Sequence, residues 1–363
     1  MIESVEIRNF KSIRDQRIEL EPLTVFVGAN GSGKTSVLEA LSLAALVVTR
    51  GDPEQIFRGE RHCDWLYTRG ATEPLSIGLD SDPQGPILEA HPPALHWHLA
   101  SNMGAQKWKY NIRNGWHVDG YGEMSCCELI RLDSRKLARP AYTHNDPPRI
   151  MQDGNGLASV LAYMALNDPD TFHELNDHVG MLIPHFKRIR FRKAPVNRPE
   201  TEVLLIGEES VERRTSRTYM GDAILFDFDN AESIPAHAVS EGTLMMLAFL
   251  TVLYGPSHPR LVLMDDIERG LHPMAQKSLL AVIRKLMERF PDLQILATAH
   301  SPYLLDDLRP EEIRLMTLGE DGSSICGRLD QHPEFEKWKG EMAPGELWSL
   351  FGEKWLLQGG NAR

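Results

Sequence analysis

Four cysteines in 363 residues, Cys63, Cys126, Cys127 and Cys326, form no C-x-x-C pair, so the usual sequence signatures of a zinc site or a dithiol redox centre are missing. Free thiols in a reducing compartment are the expectation. The N-terminal stretch MIESVEIRNFKS has no apolar h-region, which argues against a secretory signal. The longest apolar run near it, Leu41 to Val48, is too short to span a bilayer. A cytoplasmic chain without a membrane partner is expected. Positive charge is not in excess either. The formal net charge of -12 excludes coating of nucleic acid by bulk electrostatics, so any contact with DNA needs a local basic patch. Internal repeats, sustained heptads and low-complexity segments are also absent.

What is present is ordinary globular composition, 42% hydrophobic and 25% charged, with length enough for one large or two modest domains. SVEIRNF and QRIEL alternate as half-buried strands, LTVFVG is a continuous apolar strand ending at Gly28, and Val37, Leu38, Leu41, Ala44, Ala45 and Val48 mark one face of a following helix. Between about 60 and 135, short runs such as PLSIGL, ALHWHLA, KWKYNIR and ELIRLD predict an antiparallel sheet. Residues 136–155 read as a loop. Two helices follow, broken at Asp168-Pro169 because a residue preceding proline is driven out of the helical region.

In HFKRIRFRKAPVNR, Arg188, Arg190 and Arg192 alternate with Ile189 and Phe191, giving a strand with one basic face. That strand is the candidate DNA contact, against the alternative of a solvated, charge-protected edge. From about 224 the rhythm is α/β: ILFDF, a helix over 241–254, LVLM, a helix over 274–290, LQILAT, a short helix near Tyr303, and EIRLMTL. The fold class is therefore α/β, one mostly parallel core with an antiparallel β subdomain and a helical insertion. The expected boundaries give a discontinuous core of 1–50 and 224–330, an insertion over 51–223 and a C-terminal helical extension over 331–363. In that extension Leu347, Trp348, Phe351, Trp355 and Leu356 have helical spacing, favouring docking onto the core.

The chemistry is carried by Gly28-Ala29-Asn30-Gly31-Ser32-Gly33-Lys34-Thr35, a G-x-x-x-x-G-K-[ST] sequence between an apolar strand and a helix. A chain curled by glycines turns successive N–H groups toward phosphate oxygens, and a helix N-terminus adds partial positive charge. Residues Asn30 through Ser36 are thus expected to bind ATP, with Lys34 on the β- and γ-phosphates and the Thr35 hydroxyl on Mg²⁺. LVLM runs directly into Asp265 and Asp266. Asp265 is expected to complete the Mg²⁺ site, and Asp266 to orient or deprotonate the attacking water.

Together, IRNFKS, GANGSGKT, SEGT at Ser240 to Thr243, MDDIERGLHP and ATAHSP around His300 resemble the RecF/SMC-like branch of the ABC-type ATPases, nearest to compact bacterial RecF- and OLD-like AAA-family ATPases. The likeness covers about 1–50 and 235–310, with the motifs in the family's order, and implies that the α/β core is a P-loop NTPase core of ABC-ATPase type. It implies that Ser240 and Gly242 belong to a signature motif binding the γ-phosphate held by another subunit. It implies further that His300 is a switch histidine at that phosphate, and that Lys11 and Ser12 lie near the nucleotide. Signature and P-loop would then meet across a head-to-tail homodimer glued by ATP. Asp266 stands where many relatives carry Glu, which implies slow turnover. His272 replaces the D-loop aspartate of SMC-type proteins, and the form Glu268...Leu271-His272-Pro273 resembles the OLD-like group. No Q-loop glutamine can be placed. With the short stretch after His300 no TOPRIM nuclease is expected, and without a hook or long coiled coil no chromosome tether is expected.

The function expected from all this is an ATP-hydrolysing, dimerising switch for DNA transactions or for a separately encoded effector, such as a nuclease in phage defence. A non-hydrolysing ATP-dependent assembly module and a RecF-like DNA repair clamp are the alternatives.

Overall fold

The computed structural model describes residues 1–50, 66–73, 75–81, 86–91, 96–101, 127–206 and 209–359. The predicted strand at 107–113, Cys63 and Cys126 lie outside the described residues. In chain order the elements are β1 (Ile2–Phe10), β2 (Ile13–Glu19), β3 (Leu23–Gly28), α1 (Lys34–Arg50), β4 (Leu75–Ser81), β5 (Pro86–His91), β6 (His96–Ser101) and β7 (Cys127–Ile130). Then come α2 (Leu157–Asn167), α3 (Pro169–Leu182), β8 (Phe186–Ile206), β9 (Glu209–Phe228), β10 (Ala231–Pro235) and α4 (Glu241–Tyr254). The remainder holds β11 (Leu261–Met264), α5 (Pro273–Arg289), β12 (Gln294–Thr298), β13 (Ile313–Leu318), β14 (Ser324–Arg328) and α6 (Pro344–Phe351), besides single-turn helices. Two compact units result, Met1–Ile130 with Pro259–Arg363, and Arg131–His258. The boundaries expected at 50 and 223 therefore shift to 130 and 258.

Strand pairing explains the first shift. β4 pairs antiparallel with β1, Val5 opposite Leu79 and Ile7 opposite Ile77, so the middle strands extend the N-terminal sheet in the order β2-β1-β4-β5-β6. β7 joins the other sheet of this unit, ordered β14-β13-β3-β12-β11-β7, and runs parallel to β11. ELIRLD was expected in an antiparallel sheet. Its three paired residues, Glu128 to Ile130, occupy the margin of a parallel sheet, where half-burial mimics antiparallel alternation.

Within the parallel sheet β3, β11 and β12 are buried along their whole length, as continuous apolar runs covered on both faces should be. Val37, Leu38, Leu41 and Ala44 of α1 join one apolar cluster with Val5 and Ile7 of β1, Ile77 of β4, and Leu263, Leu296 and Met316 of the parallel sheet. Each fully buried aliphatic side chain of this kind contributes about 1.5–3 kcal/mol relative to exposure. The register of β11, β12 and β3, with Met264 opposite Ala297 and Thr298 opposite Phe26, brings three C-terminal strand ends to the same side. Ligands of open α/β sheets bind at such an edge.

The chain after β14 belongs to this unit. The Gly345 N–H, in the first turn of α6, donates to Asp306 at 2.9 Å, and Leu347 and Leu356 are buried. The helical run is interrupted at Gly352, whose φ of 59° ends α6.

In the second unit α2 and α3 break where the sequence placed the break: Asp168 caps α3, its carboxylate accepting the Thr171 N–H at 3.2 Å, and Pro169 opens the helix. α4 is buried from Leu244 through Tyr254 and packs on α2 and α3, with the Tyr254 hydroxyl donating to Glu174 at 3.2 Å. ILFDF was expected in the core. It is the end of β9, paired with β8 in an antiparallel sheet of order β10-β9-β8, Phe226 opposite Ile189. The basic strand is β8. Arg188 and Arg190 both bond Asp227, at 2.9 and 2.8 Å, and Lys193 bonds Asp222 at 2.8 Å. Asp227 is 1% exposed. The Ser233 N–H and the two guanidinium groups hold its carboxyl down to about 2.

Candidate nucleotide site

The site is built where β3 turns into α1. Gly28 closes β3 at φ 140°, and a Cβ there would lie 2.0 Å from the Met316 carbonyl oxygen of β13. Only glycine allows the neighbouring strand so near. The chain then loops, with the Ser32 N–H donating to Ala29 at 3.2 Å, and exposes Asn30 and Gly31 at its crest. Hydrogen bonding within α1 starts with the Val37 N–H on the Gly33 carbonyl, so the amides before it in the first turn have no intrahelical acceptor.

Lys34 is the first residue of α1 and is 5% exposed. Its ammonium donates to the carbonyls of Gly28 and Ala29, both at 2.9 Å. Burial pushes its pKa down, and the charges of Asp266 and Asp265 push it back up. Next to it, the Thr35 hydroxyl donates to Asp265 Oδ1 at 3.0 Å across 230 residues of sequence. The Thr298 hydroxyl donates to the same oxygen at 2.8 Å and accepts the Asp266 N–H at 2.8 Å. One buried threonine thus holds the Asp265 carboxylate and the Asp266 main chain. Asp266 sits at φ 55°, a left-handed conformation that aspartate tolerates better than most residues. His300 Nε2 is 3.6 Å from Asp266 Oδ1, and the His300 main-chain N–H donates to Glu268 Oε1. Burial pushes the Glu268 carboxyl above the usual range, partly offset by the His300 N–H.

The sequence-predicted residues from Gly28 to Thr35 thus gather with Asp265, Asp266 and His300 at one sheet edge, with Ser36 half-buried in the next position of α1. Ser12 is also there. A Cβ on Gly33, whose φ is 100°, would meet Ser324 Oγ at 2.2 Å and Ser12 Oγ at 3.1 Å, and those two hydroxyls are 2.7 Å apart. Lys11 pairs instead with Glu39 of α1. Ser240 and Gly242 belong to the second unit, where Ser240 is exposed and caps α4 by accepting the Thr243 N–H at 3.2 Å. Thr298 and Ser324 escape sequence reasoning. The only signal of Thr298 is a hydroxyl closing an apolar strand, and Ser324 carries none.

The donor set fits a magnesium nucleotide. The buried Ser32 hydroxyl has no hydrogen-bond partner among the described residues, the opening turn of α1 presents amides, and Lys34 brings a cation. Thr35 and Asp265 give two hard oxygens, a number suited to Mg²⁺, which takes its remaining ligands from phosphates and water.

Residues 23–306 match the family model described as "AAA domain, putative AbiEii toxin, Type IV TA system". The chain belongs to this family. Among curated proteins it is 22% identical over 335 residues to the Septu protein PtuA of Bacillus mycoides, covering 88% of this chain and 41% of that protein. It is 40% identical over 84 residues to the DNA replication and repair protein RecF of Salmonella paratyphi A, covering 22% of this chain and 24% of RecF. The chain thus spans less than half the length of these relatives. A solved SmcHead bound to the C-winged helix domain of ScpA superposes with a TM-score of 0.55 at 15% identity, covering 92% of this chain and 99% of that one. An Smc head domain with an extended coiled coil, bound to the C-terminal domain of ScpA derived from Pyrococcus furiosus, gives 0.57 at 12% identity, covering 93% and 98%. These likenesses establish the fold, that of RecF/SMC-like ABC-type ATPases.

Proposed function

We propose that the chain binds ATP with Mg²⁺ on the loop and first helical turn over 28–36 and hydrolyses it, using nucleotide occupancy to join two copies and switch a partner. The observation that carries this reading is the convergence of the Thr35 and Thr298 hydroxyls on one oxygen of Asp265, beside the buried Lys34. When bound, Mg²⁺ would neutralise phosphate charge as it develops. Lys34 would exchange its two carbonyl acceptors for phosphate oxygens. Asp266 and His300, side by side at the rim, would orient the attacking water and receive its proton. Ser240 and Gly242, at the N-terminus of α4, would meet the γ-phosphate held by a second copy.

The partner is proposed as a separately encoded effector, such as a nuclease, in a defence role. Support comes from the similarity to the Septu protein along 88% of this chain, whereas similarity to RecF is confined to 22%. A DNA clamp is less favoured, because Arg188, Arg190 and Lys193 of the basic strand are paired with Asp227 and Asp222, which offset part of its charge. The test is phosphate release and ATP-dependent mass of wild type, Lys34→Ala and Asp266→Ala. Lys34→Ala should lose both, and Asp266→Ala should dimerise without turnover; release that survives Lys34→Ala overturns the reading.

A further inference from the structure

Glu268 is the third carboxylate of the Asp265-Asp266-Ile267-Glu268 run, and ATP chemistry as described gives it no task. It is not needed to close its own turn. The main chain does that, with the Arg269 N–H on the Asp266 carbonyl and the Leu271 N–H on the Glu268 carbonyl, each at 3.0 Å. Its side chain is costly to keep: one oxygen, Oε2, is buried with no hydrogen-bond partner among the described residues, and burial disfavours its charge. What it does hold is the main-chain N–H of His300, in the segment following β12.

That contact falls where the sheet stops holding the chain. The Ala299 N–H still donates to Phe26 of β3 at 2.9 Å, and His300 is the first residue beyond. On the other side, the Ile267 and Asp266 N–H groups are anchored on Thr298, at 3.0 and 2.8 Å. Asp266 is therefore fixed from β12, and His300 is fixed from the segment after β11 through Glu268. The two ties cross, and they bring His300 Nε2 within 3.6 Å of Asp266 Oδ1.

We propose that Glu268 is a positioning residue for hydrolysis: by accepting the His300 N–H it sets the imidazole against Asp266, without contributing to ATP affinity. This rests on the hydrolysis reading above. Glu268→Gln keeps an oxygen of the right reach and removes the charge, while Glu268→Ala removes the acceptor. Losing a hydrogen bond to a charged group should cut kcat about tenfold or more in Glu268→Ala, with the Kd for ATP within about twofold of wild type. Glu268→Gln should restore most of the rate. An unchanged kcat in Glu268→Ala overturns the proposal. So does a loss of ATP affinity as large as the loss of rate, or a Glu268→Gln variant no faster than Glu268→Ala.

A second measurement needs no turnover. In nucleotide-free protein, Asp266→Asn should move the ring resonances of His300, and in the Glu268→Ala background the same substitution should move them much less. An undiminished response overturns the positioning role. Wild type that releases no phosphate would refute the hydrolysis reading alone, because the resonance experiment still decides the role of Glu268.

Discussion

The Thr35 hydroxyl and the Asp265 carboxylate, 230 residues apart in the chain, stand 3.0 Å apart at the ends of α1 and β11. A hydroxyl and a carboxylate at that distance form a ready pair of hard oxygen ligands, and the second hydroxyl on the same oxygen, from Thr298, keeps the carboxylate from turning away.

Thr298→Val should therefore damage both the fold and the chemistry. It keeps the shape of a fully buried side chain while removing the donor to Asp265 and the acceptor of the Asp266 N–H. The expected destabilisation is about 1–3 kcal/mol, read by denaturant unfolding, with a larger loss of phosphate release than Thr298→Ser.

Gly33→Ala should abolish ATP binding. The new methyl would sit 2.2 Å from Ser324 Oγ, and φ at 100° is strained for any L side chain. Removing the obstacle with Ser324→Gly should recover part of the affinity in a titration with ATP, since the backbone strain remains.

At Asp266 the backbone limits which substitution can be informative. With φ at 55°, Asn should leave the melting temperature near that of wild type while suppressing turnover. Glu carries more strain there and is expected to cost about 1 kcal/mol of stability. Consequently Asp266→Glu should not create a faster ATPase, as phosphate release measured beside the melting curve would show.

Low pH should loosen the second unit through Asp227. Its folded carboxyl is held down to about 2 against an ordinary value of 3.8. A depressed carboxyl contributes stability that is complete above the ordinary value and is lost as pH falls through the folded one. Melting temperatures should thus decline between about pH 4 and pH 2, and Asp227→Asn should start lower and flatten that decline.

The sequence made the core strands and the phosphate loop readable because both follow local rules. β3, β11 and β12 are apolar without interruption, which only a strand covered on both faces tolerates, and glycines at fixed intervals before Lys34 and Thr35 have few other uses. What escaped depends on pairing at a distance. ILFDF has the composition of a core strand, yet it pairs with β8 because the long hairpin brings Phe226 opposite Ile189. The ion pairs of the basic strand were out of reach as well, because Asp227 and Asp222 meet Arg188, Arg190 and Lys193 only through the facing strand. Thr298 was hidden for the same reason. Its meaning comes from two aspartates more than thirty residues earlier, one met at its carboxylate and one at its main-chain N–H, which only the β11–β12 register puts beside it.

Lys34 ends the chain of consequences in a different place. Its ammonium already has two partners, the carbonyls of Gly28 and Ala29, so the loop carries an internal rival for any incoming phosphate. Neutral ligands have little with which to displace carbonyl oxygens from an ammonium, whereas a polyphosphate offers full negative charge. Discrimination against uncharged nucleosides is therefore set before any base is touched, by an exchange of acceptors around one nitrogen. The same rivalry keeps the loop in shape between visits, so little ordering is left to be done when nucleotide arrives.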